Sequence, residues 1–321
     1  MKEKDICTRE FLADNRRFAD VVNVGIFDGE QVVLGEDLKE ADSFGSLESK
    51  GSKSKSYSYR DLVKQLSCGV NIAFIGIENQ SSIHYAFPIR SMIYDASVYQ
   101  KQWKQIQRNH RRAKDVQGDE FLSGFAKTDK IKPVITLVVY YGKAPWDGAV
   151  TLHDIIDWSD IPETIRKTVP DYPVYVLDLS HFESAEEFQT DVKLVSSFLR
   201  HASDEKELKA VVEKYQDEFV NLPEETYDVI SALSNSKELS VIKEVCKTEK
   251  GVNMCQAIDD MIRSGERRGE ERGLQQGIQQ GLQRVIALTK LVIRLENNGM
   301  KAEEIAKQCE ISVEEVQEIL A

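Results

Sequence analysis

Strand-like apolar runs occupy the first 180 or so residues of the chain, and helix-like spacing fills the remainder. From Thr8 to Val24, Phe11, Leu12, Phe18, Val21 and Val22 recur at three- and four-residue intervals, which predicts a helix that the Gly25 to Asp28-Gly29 stretch ends. A β-hairpin follows. Its first arm is Tyr59–Leu66, its turn Ser67–Asn71 and its second arm Ile72–Gln80, with Cys68-Gly69 and Asn71 supplying turn chemistry beside a dense run of β-formers. Pro88 opens a long helix that reaches Ala113. Pro133–Tyr141 is an unbroken apolar β run suited to a central strand, Leu152–Trp158 a short helix or turn, and Pro173–Leu179 a further strand. The order helix, hairpin, long helix, strand, strand suits an α/β sheet with helices packed against it.

From Ser184 onwards no strand is expected. Glu186–Arg200, Glu205–Phe219, Thr226–Leu233 and Ser240–Ile262 read as helices with acidic outer faces, serving as a lid, a scaffold or a partner surface. Gly265, Gly269, Gly273, Gly277 and Gly281 then recur every fourth residue among good helix formers. Each interior glycine costs a helix about 0.5–1 kcal/mol relative to alanine. The stripe therefore reads either as a close helix–helix contact, most simply with its own copy in a homo-oligomer, or as a frayed linker. Lys301–Leu320 forms two short helices, with Ser312 and Glu315 spaced as a capping box for the second. The outline is that of a helix-turn-helix, but Glu314, Glu315 and Glu318 make the would-be recognition helix acidic, which favours a folding or assembly role.

The long helix is expected to separate into two faces. Met92, Ala96, Tyr99, Trp103 and Ile106 make the predicted buried stripe, and Arg90, Tyr94, Ser97, Lys101, Lys104, Arg108 and Arg111 the opposite side. With Arg112 and Lys114, its carboxy-terminal half holds no acid from Lys101 to Lys114. The formal net charge is −12, so any nucleic-acid contact has to be local, and this basic face is the place for it, unless it is simply a solvated face. Tyr94 either stacks on nucleic acid or packs. The Ser-rich segment Glu36–Ser58, with Lys53 and Lys55, reads as a flexible loop that either covers a phosphate backbone or is a solvated insertion.

Candidate chemistry centres on the hairpin. Glu78 and Gln80 point to one face of the second arm while Ile75 and Ile77 point to the other. Asp61 opens the first arm, and the hairpin returns Glu78 to its neighbourhood, where two carboxylates suit a hard divalent cation; the plainer alternative is a pair of strand-end charges. Phosphate-loop, dinucleotide, nucleophile-elbow and zinc-protease patterns are absent from the sequence. The five histidines lack metal-ligand pairing, although His84 follows the strand end. Five dispersed cysteines with no C-x-x-C spacing fit reduced thiols, and the polar start and lack of a long apolar run fit a cytoplasmic protein with no membrane partner.

These residues carry a resemblance. The stretch resembles the PD-(D/E)XK nuclease superfamily, in which an Asp and an acidic-x-Lys triplet on neighbouring strands bind the catalytic metal. Arg60-Asp61, Gly76-Ile77-Glu78-Asn79-Gln80-Ser81-Ser82-Ile83, Pro88-Ile89-Arg90 and Tyr94-Asp95 are similar to the Rpn family of recombination-promoting nucleases, also labelled transposases. Phe18–Asn23 and Phe27-Asp28-Gly29 are similar to that family's amino-terminal signature, and Gly-periodic tails accompany such sequences.

The resemblance implies a PD-(D/E)XK restriction-endonuclease-like core over residues 1–183, a helical region over 184–262, and a Gly-periodic helix with a terminal helical hairpin over 263–321. It implies a metal-dependent DNA endonuclease in which Asp61, Glu78 and the backbone carbonyl of Asn79 hold Mg²⁺ or another divalent cation. Asp20 is a further candidate acid, or else a solvated helix charge. Gln80 stands where the superfamily has Lys; it orients water or a phosphate oxygen but supplies no positive charge. DNA is the expected partner, contacted by Arg90, Tyr94, Lys101, Lys104, Arg108 and Arg111. The alternative is an inactive nuclease-like fold acting as a DNA-binding or protein-interaction adaptor.

Overall fold

A computed structural model describes residues 2–40, 62–66, 71–77 and 83–321. These divide into two compact units, Met1–Ala257 and Ile258–Ala321. The first is mixed α/β. Its sheet takes the strands in chain order: β1 (Leu38–Glu40), β2 (Leu62–Leu66), β3 (Asn71–Ile77), β4 (Val134–Tyr140) and β5 (Tyr175–Asp178). The predicted hairpin is present, with β2 antiparallel to β3 from Leu62↔Phe74 to Gln65↔Asn71. β3, β4 and β5 run parallel, with Ile77, Tyr140 and Asp178 in register.

Helices cover both faces of β4, which is why its sequence is apolar without alternation: Leu137, Val138 and Val139 are all fully buried. On one face Val138 and Tyr140 pack with Phe87 and Tyr94 of α3 (Phe87–Ala113). On the other, Leu137 meets the helix preceding the sheet. There the expected single helix is two, α1 (Lys2–Ala13) and α2 (Asn15–Phe27), broken where the Asp14 carboxylate accepts from the backbone N–H of Arg16 and Arg17 at 2.9 and 3.1 Å. Gly25 lies inside α2 rather than ending it. A Cβ there would sit 2.9 Å from Leu137 Cδ1, so glycine lets the helix approach the sheet. The helix stops at Asp28, in the left-handed conformation.

After α4 (Gly118–Ser123) and α5 (Glu163–Arg166) the helical region follows as α6 (Val192–His201), shorter than expected, α7 (Glu205–Lys214) and α8 (Gln216–Val220) in place of one expected helix, α9 (Glu224–Ser234), and α10 (Lys237–Ile242). α9 packs on α1 and α6, burying Tyr227, whose hydroxyl donates to Leu239 O at 2.8 Å. Two strand expectations need correcting. Part of the segment read as a loop is β1, because Leu38 pairs with Leu66 of the hairpin and is buried. After α10 a short hairpin, β6 (Lys247–Thr248) and β7 (Gly251–Val252), interrupts the helix expected over Ser240–Ile262. Gly251 sits there at φ +156, with the Leu222 carbonyl 2.3 Å from where a Cβ would be.

The buried stripe of α3 is rotated by about one position from expectation. The buried residues are Phe87, Pro88, Ser91, Tyr94, Asp95 and Val98, whereas Ala96 is exposed and Trp103 is 44% exposed. Asp95 is what misled the pattern. It is a carboxylate in the core, made tolerable by Thr136 Oγ1 donating to it at 2.5 Å and by a bond from the Tyr172 hydroxyl.

The second unit holds most of α11 (Met254–Asn297), then α12 (Ala302–Cys309) and α13 (Val313–Leu320). The glycine stripe is helical, as one of the two readings had it. The expected capping box forms: Glu315 N donates to Ser312 Oγ at 3.1 Å and Ser312 N to Glu315 Oε2 at 2.7 Å. Val292, Leu295, Ile305, Ala306 and Val316 make a small core that folds α12 and α13 onto the end of α11.

Candidate metal and nucleic-acid site

The parallel strands β3, β4 and β5 end together at one edge of the sheet, and antiparallel β2 begins at that edge. In open α/β sheets ligands bind outside the carboxyl ends of the strands. Asp61 immediately precedes Leu62 in the chain, and Glu78, Asn79 and Gln80 immediately follow Ile77. All four lie outside the described residues. Among the described residues no three His, Cys, Asp or Glu side chains gather into a metal-binding group.

Asp20 is 3% exposed. Its carboxylate accepts from Gln189 N at 2.9 Å, Thr190 N at 2.8 Å and Thr190 Oγ1 at 2.5 Å. These bonds hold α2 to the turn ahead of α6, so Asp20 is a buried, satisfied carboxylate rather than a solvated helix charge. One turn earlier, Arg17 makes a bidentate pair with Asp191 at 2.8 and 2.9 Å and a second bond to Glu225 at 2.7 Å. The hairpin is fixed from the same side by a residue that sequence reading missed. Lys64 of β2 is 1% exposed, and its ammonium donates to Ala13 O and Asn15 Oδ1 at the α1–α2 junction.

The candidate nucleic-acid face of α3 divides in two. Tyr94 is 6% exposed and belongs to the core, so packing is its role and stacking on a base is not open to it. Arg90 lies against it, with Nε donating to the Tyr94 hydroxyl and the guanidinium 5.4 Å from the ring centre. Further along, Lys101 is half-buried, while Lys104, Arg108 and Arg111 are exposed, as are Arg112 and Lys114. The nearest side-chain acceptors of Lys104 and Arg108 are neutral: Gln100 and Gln105, each at 3.4 Å. His110 closes this end of the helix, bridging Asp115 at 2.7 Å and Asp129 at 2.8 Å. Those bonds, to Asp115 first and Asp129 second, raise its pKa above the ordinary imidazole value. His84 is exposed, ahead of α3.

A further group at the sheet edge was not singled out in the sequence. Asp178, the last residue of β5, contacts His181 Nδ1 through both oxygens, at 2.9 and 3.0 Å, and accepts from Trp146 N at 2.9 Å. Trp146 stands edge-on to Tyr140, with ring centres 5.3 Å apart. Burial, then the charges of Asp178 and Asp147, push the Tyr140 phenol up, keeping it a donor to Ala144 O at 2.8 Å. An Asp-x-x-His spacing at a strand end was the only available hint, and in a chain with 54 acidic residues it does not stand out.

Residues 58–229, more than half of the chain, match the model of a family described as "Putative transposase, YhgA-like". The match takes in the hairpin, α3, β4, β5 and the helices through most of α9. No curated protein and no solved structure gives a significant match. Among the described residues no helix is long and apolar enough to cross a membrane.

Proposed function

The chain belongs to this YhgA-like family, and from that premise we propose that it is a divalent-metal-dependent DNA endonuclease, linked to mobile elements or recombination and built on a PD-(D/E)XK core. The observation that carries the reading is the strand register. β2 starts with Leu62 opposite Phe74, towards the edge where β3 ends at Ile77, and in the sequence Asp61 directly precedes Leu62 and Glu78 directly follows Ile77.

In this proposal Asp61, Glu78 and the backbone carbonyl of Asn79 hold Mg²⁺, for which carboxylate and carbonyl oxygens are fitting ligands. Such an ion lowers the pKa of bound water and offsets charge on the phosphate. Gln80 orients the attacking water or a phosphate oxygen through its amide. Lys104, Arg108 and Arg111 draw the DNA backbone to α3, with Lys101 and Arg90 at its nearer end. Asp20 is assigned to holding the fold, because acting at the metal would require it to give up its bonds to Gln189 and Thr190. Self-association through the Gly265–Gly281 helix completes the proposal.

The test is cleavage of supercoiled and linear DNA with and without Mg²⁺. Glu78→Ala and Asp61→Ala should each abolish cleavage while circular dichroism and DNA binding stay as in the wild type. Gln80→Lys, which restores the superfamily's cation, should retain or raise activity. Full cleavage by purified Glu78→Ala would sink the assignment, and the adaptor reading would replace it.

A further inference from the structure

Beyond the carboxyl ends of β4 and β5 lies a pocket of about 270 Å³ whose polar lining comes from Lys143, Ser180, His181, Arg200, Ser203 and Ser234. We infer that this pocket binds a phosphate group, and that in the working protein this is a backbone phosphate of the DNA strand. The binding of phosphate follows from the pocket itself; its identity as a DNA phosphate rests on the nuclease reading above.

Each polar group is placed by the fold. Lys143 sits in the turn after β4, and that turn requires Gly142, where a Cβ would fall 1.8 Å from the Tyr140 hydroxyl. The lysine is exposed and has no ion-pair partner among the described residues. His181 is held through Nδ1 by Asp178, which fixes the ring and leaves Nε2, unpartnered among the described residues, for a ligand. Arg200, at the end of α6, donates through one terminal nitrogen to the His181 carbonyl at 3.3 Å. Its other terminal nitrogen lies 3.4 Å from Glu183, an acid that is 85% exposed. A guanidinium has five N–H donors, so this side chain keeps donors in hand for an oxyanion. Ser203 adds a hydroxyl, whereas the Ser234 hydroxyl already donates to Ser231 O at 3.3 Å.

The charge balance points the same way. The chain carries a net charge of −12, yet no Asp or Glu is among the described residues lining this pocket. Of the acids bonded to its cationic groups, Asp178 is turned to the histidine and Glu183, beside Arg200, is exposed. A cluster of Lys, Arg, His and hydroxyl donors favours a tetrahedral oxyanion over a cation or an apolar ligand. Size agrees. Small-molecule sites span about 300–1,000 Å³, so this smaller pocket admits a phosphate with its sugar but not a duplex groove. Its position outside the ends of parallel strands is where open α/β sheets bind phosphorylated ligands.

The full-length chain would be titrated with inorganic phosphate, then thymidine 5′-monophosphate, then a single-stranded oligonucleotide, reading the His181 imidazole by NMR and affinity by calorimetry. All three should bind, with the His181 signals shifting. Arg200→Gln and Lys143→Ser should each weaken binding roughly tenfold or more, the loss expected for a charge-assisted hydrogen bond. Lys143→Ser guards against misfolding, because that side chain is exposed. No binding of phosphate or nucleotide, or affinities unchanged in both variants, would overturn the site. Binding of the mononucleotide but not the oligonucleotide would overturn the DNA assignment. Normal phosphate binding in a protein that never cleaves DNA would sink the nuclease reading and leave the pocket standing.

Discussion

Helices α3 and α11 run for 27 and 44 residues, and each exposes a long surface of one character. The first half of α3 is core: Phe87, Tyr94 and Val98 are buried against the sheet side of the unit. Its second half exposes a run of lysine and arginine from Lys104 to Lys114 with no acid among them. The middle of α11, Gly273 to Gln283, carries no charge at all. It exposes Leu274, Ile278 and Leu282 at 67%, 55% and 58%, each directly after a glycine of the stripe. A Cβ at any of the five glycines meets nothing within 4 Å. The helix cost of those glycines is therefore not offset by packing among the described residues. The contrast separates two kinds of recognition. A cationic helix face gains from releasing counterions off a polyanion, whereas exposed apolar side chains beside glycines gain only by being covered by another protein surface.

The largest effect that tests this contrast is on α3. The triple variant Lys104→Glu, Arg108→Glu and Arg111→Glu should lower DNA affinity by roughly two orders of magnitude at low salt and flatten the salt slope by about 3, one contact's worth for each residue. The same changes should leave the subunit mass in sedimentation untouched. If affinity and slope both survive, the basic half of α3 is only solvated.

A reciprocal and smaller effect belongs to α11. Gly273→Leu with Gly277→Leu should strengthen the isolated helix by about 0.5–1 kcal/mol per site but block close approach of a second helix. Sedimentation should then report a smaller assembly, with DNA affinity per subunit unchanged. An unaltered mass would remove this stripe from any interface.

The smallest effect concerns the end of α3, where His110 joins Asp115 and Asp129. Its pKa is raised in the folded chain, so its stabilising contribution is complete below the ordinary imidazole value of about 6.5 and fades as pH rises through the raised value. Asp129, lowered first by the same histidine, contributes above the ordinary carboxylate range and loses that contribution as pH falls. Hydrogen exchange across residues 115–129 should be slowest between these limits. His110→Gln should remove the upper limb of that profile, and a profile unchanged by the substitution would show that the bridge does not hold the segment.

Much of the scaffold was legible from local pattern. β4 announces itself because a strand covered on both faces tolerates no polar alternation, and the hairpin because its turn residues separate two β-rich arms. The exposed basic run of α3 and the Ser312–Glu315 cap were equally plain, since both depend on residues within a turn or two of each other. The inner face of α3 was not. Asp95 looks like a surface residue until Thr136 and Tyr172, 41 and 77 positions away, supply its hydroxyl donors. Asp20 was ambiguous for the same reason: the backbone N–H groups that satisfy it come from Gln189 and Thr190, 169 and 170 residues on.

By itself, then, the sequence determined the elements whose signals are local: the β-runs, the helical periodicities, the cap, the glycine spacing and the segregation of positive charge on one helix in an acidic chain. Tertiary structure decided which polar groups are allowed inside and which charged groups meet. It brought Lys64 to the α1–α2 junction, turned α3 by one position, and gathered Lys143, His181 and Arg200 around one pocket from three separate segments. The physical reason is that a buried charge or hydroxyl is stable only with a partner, and partners are chosen by how distant segments pack, which no periodicity along the chain records.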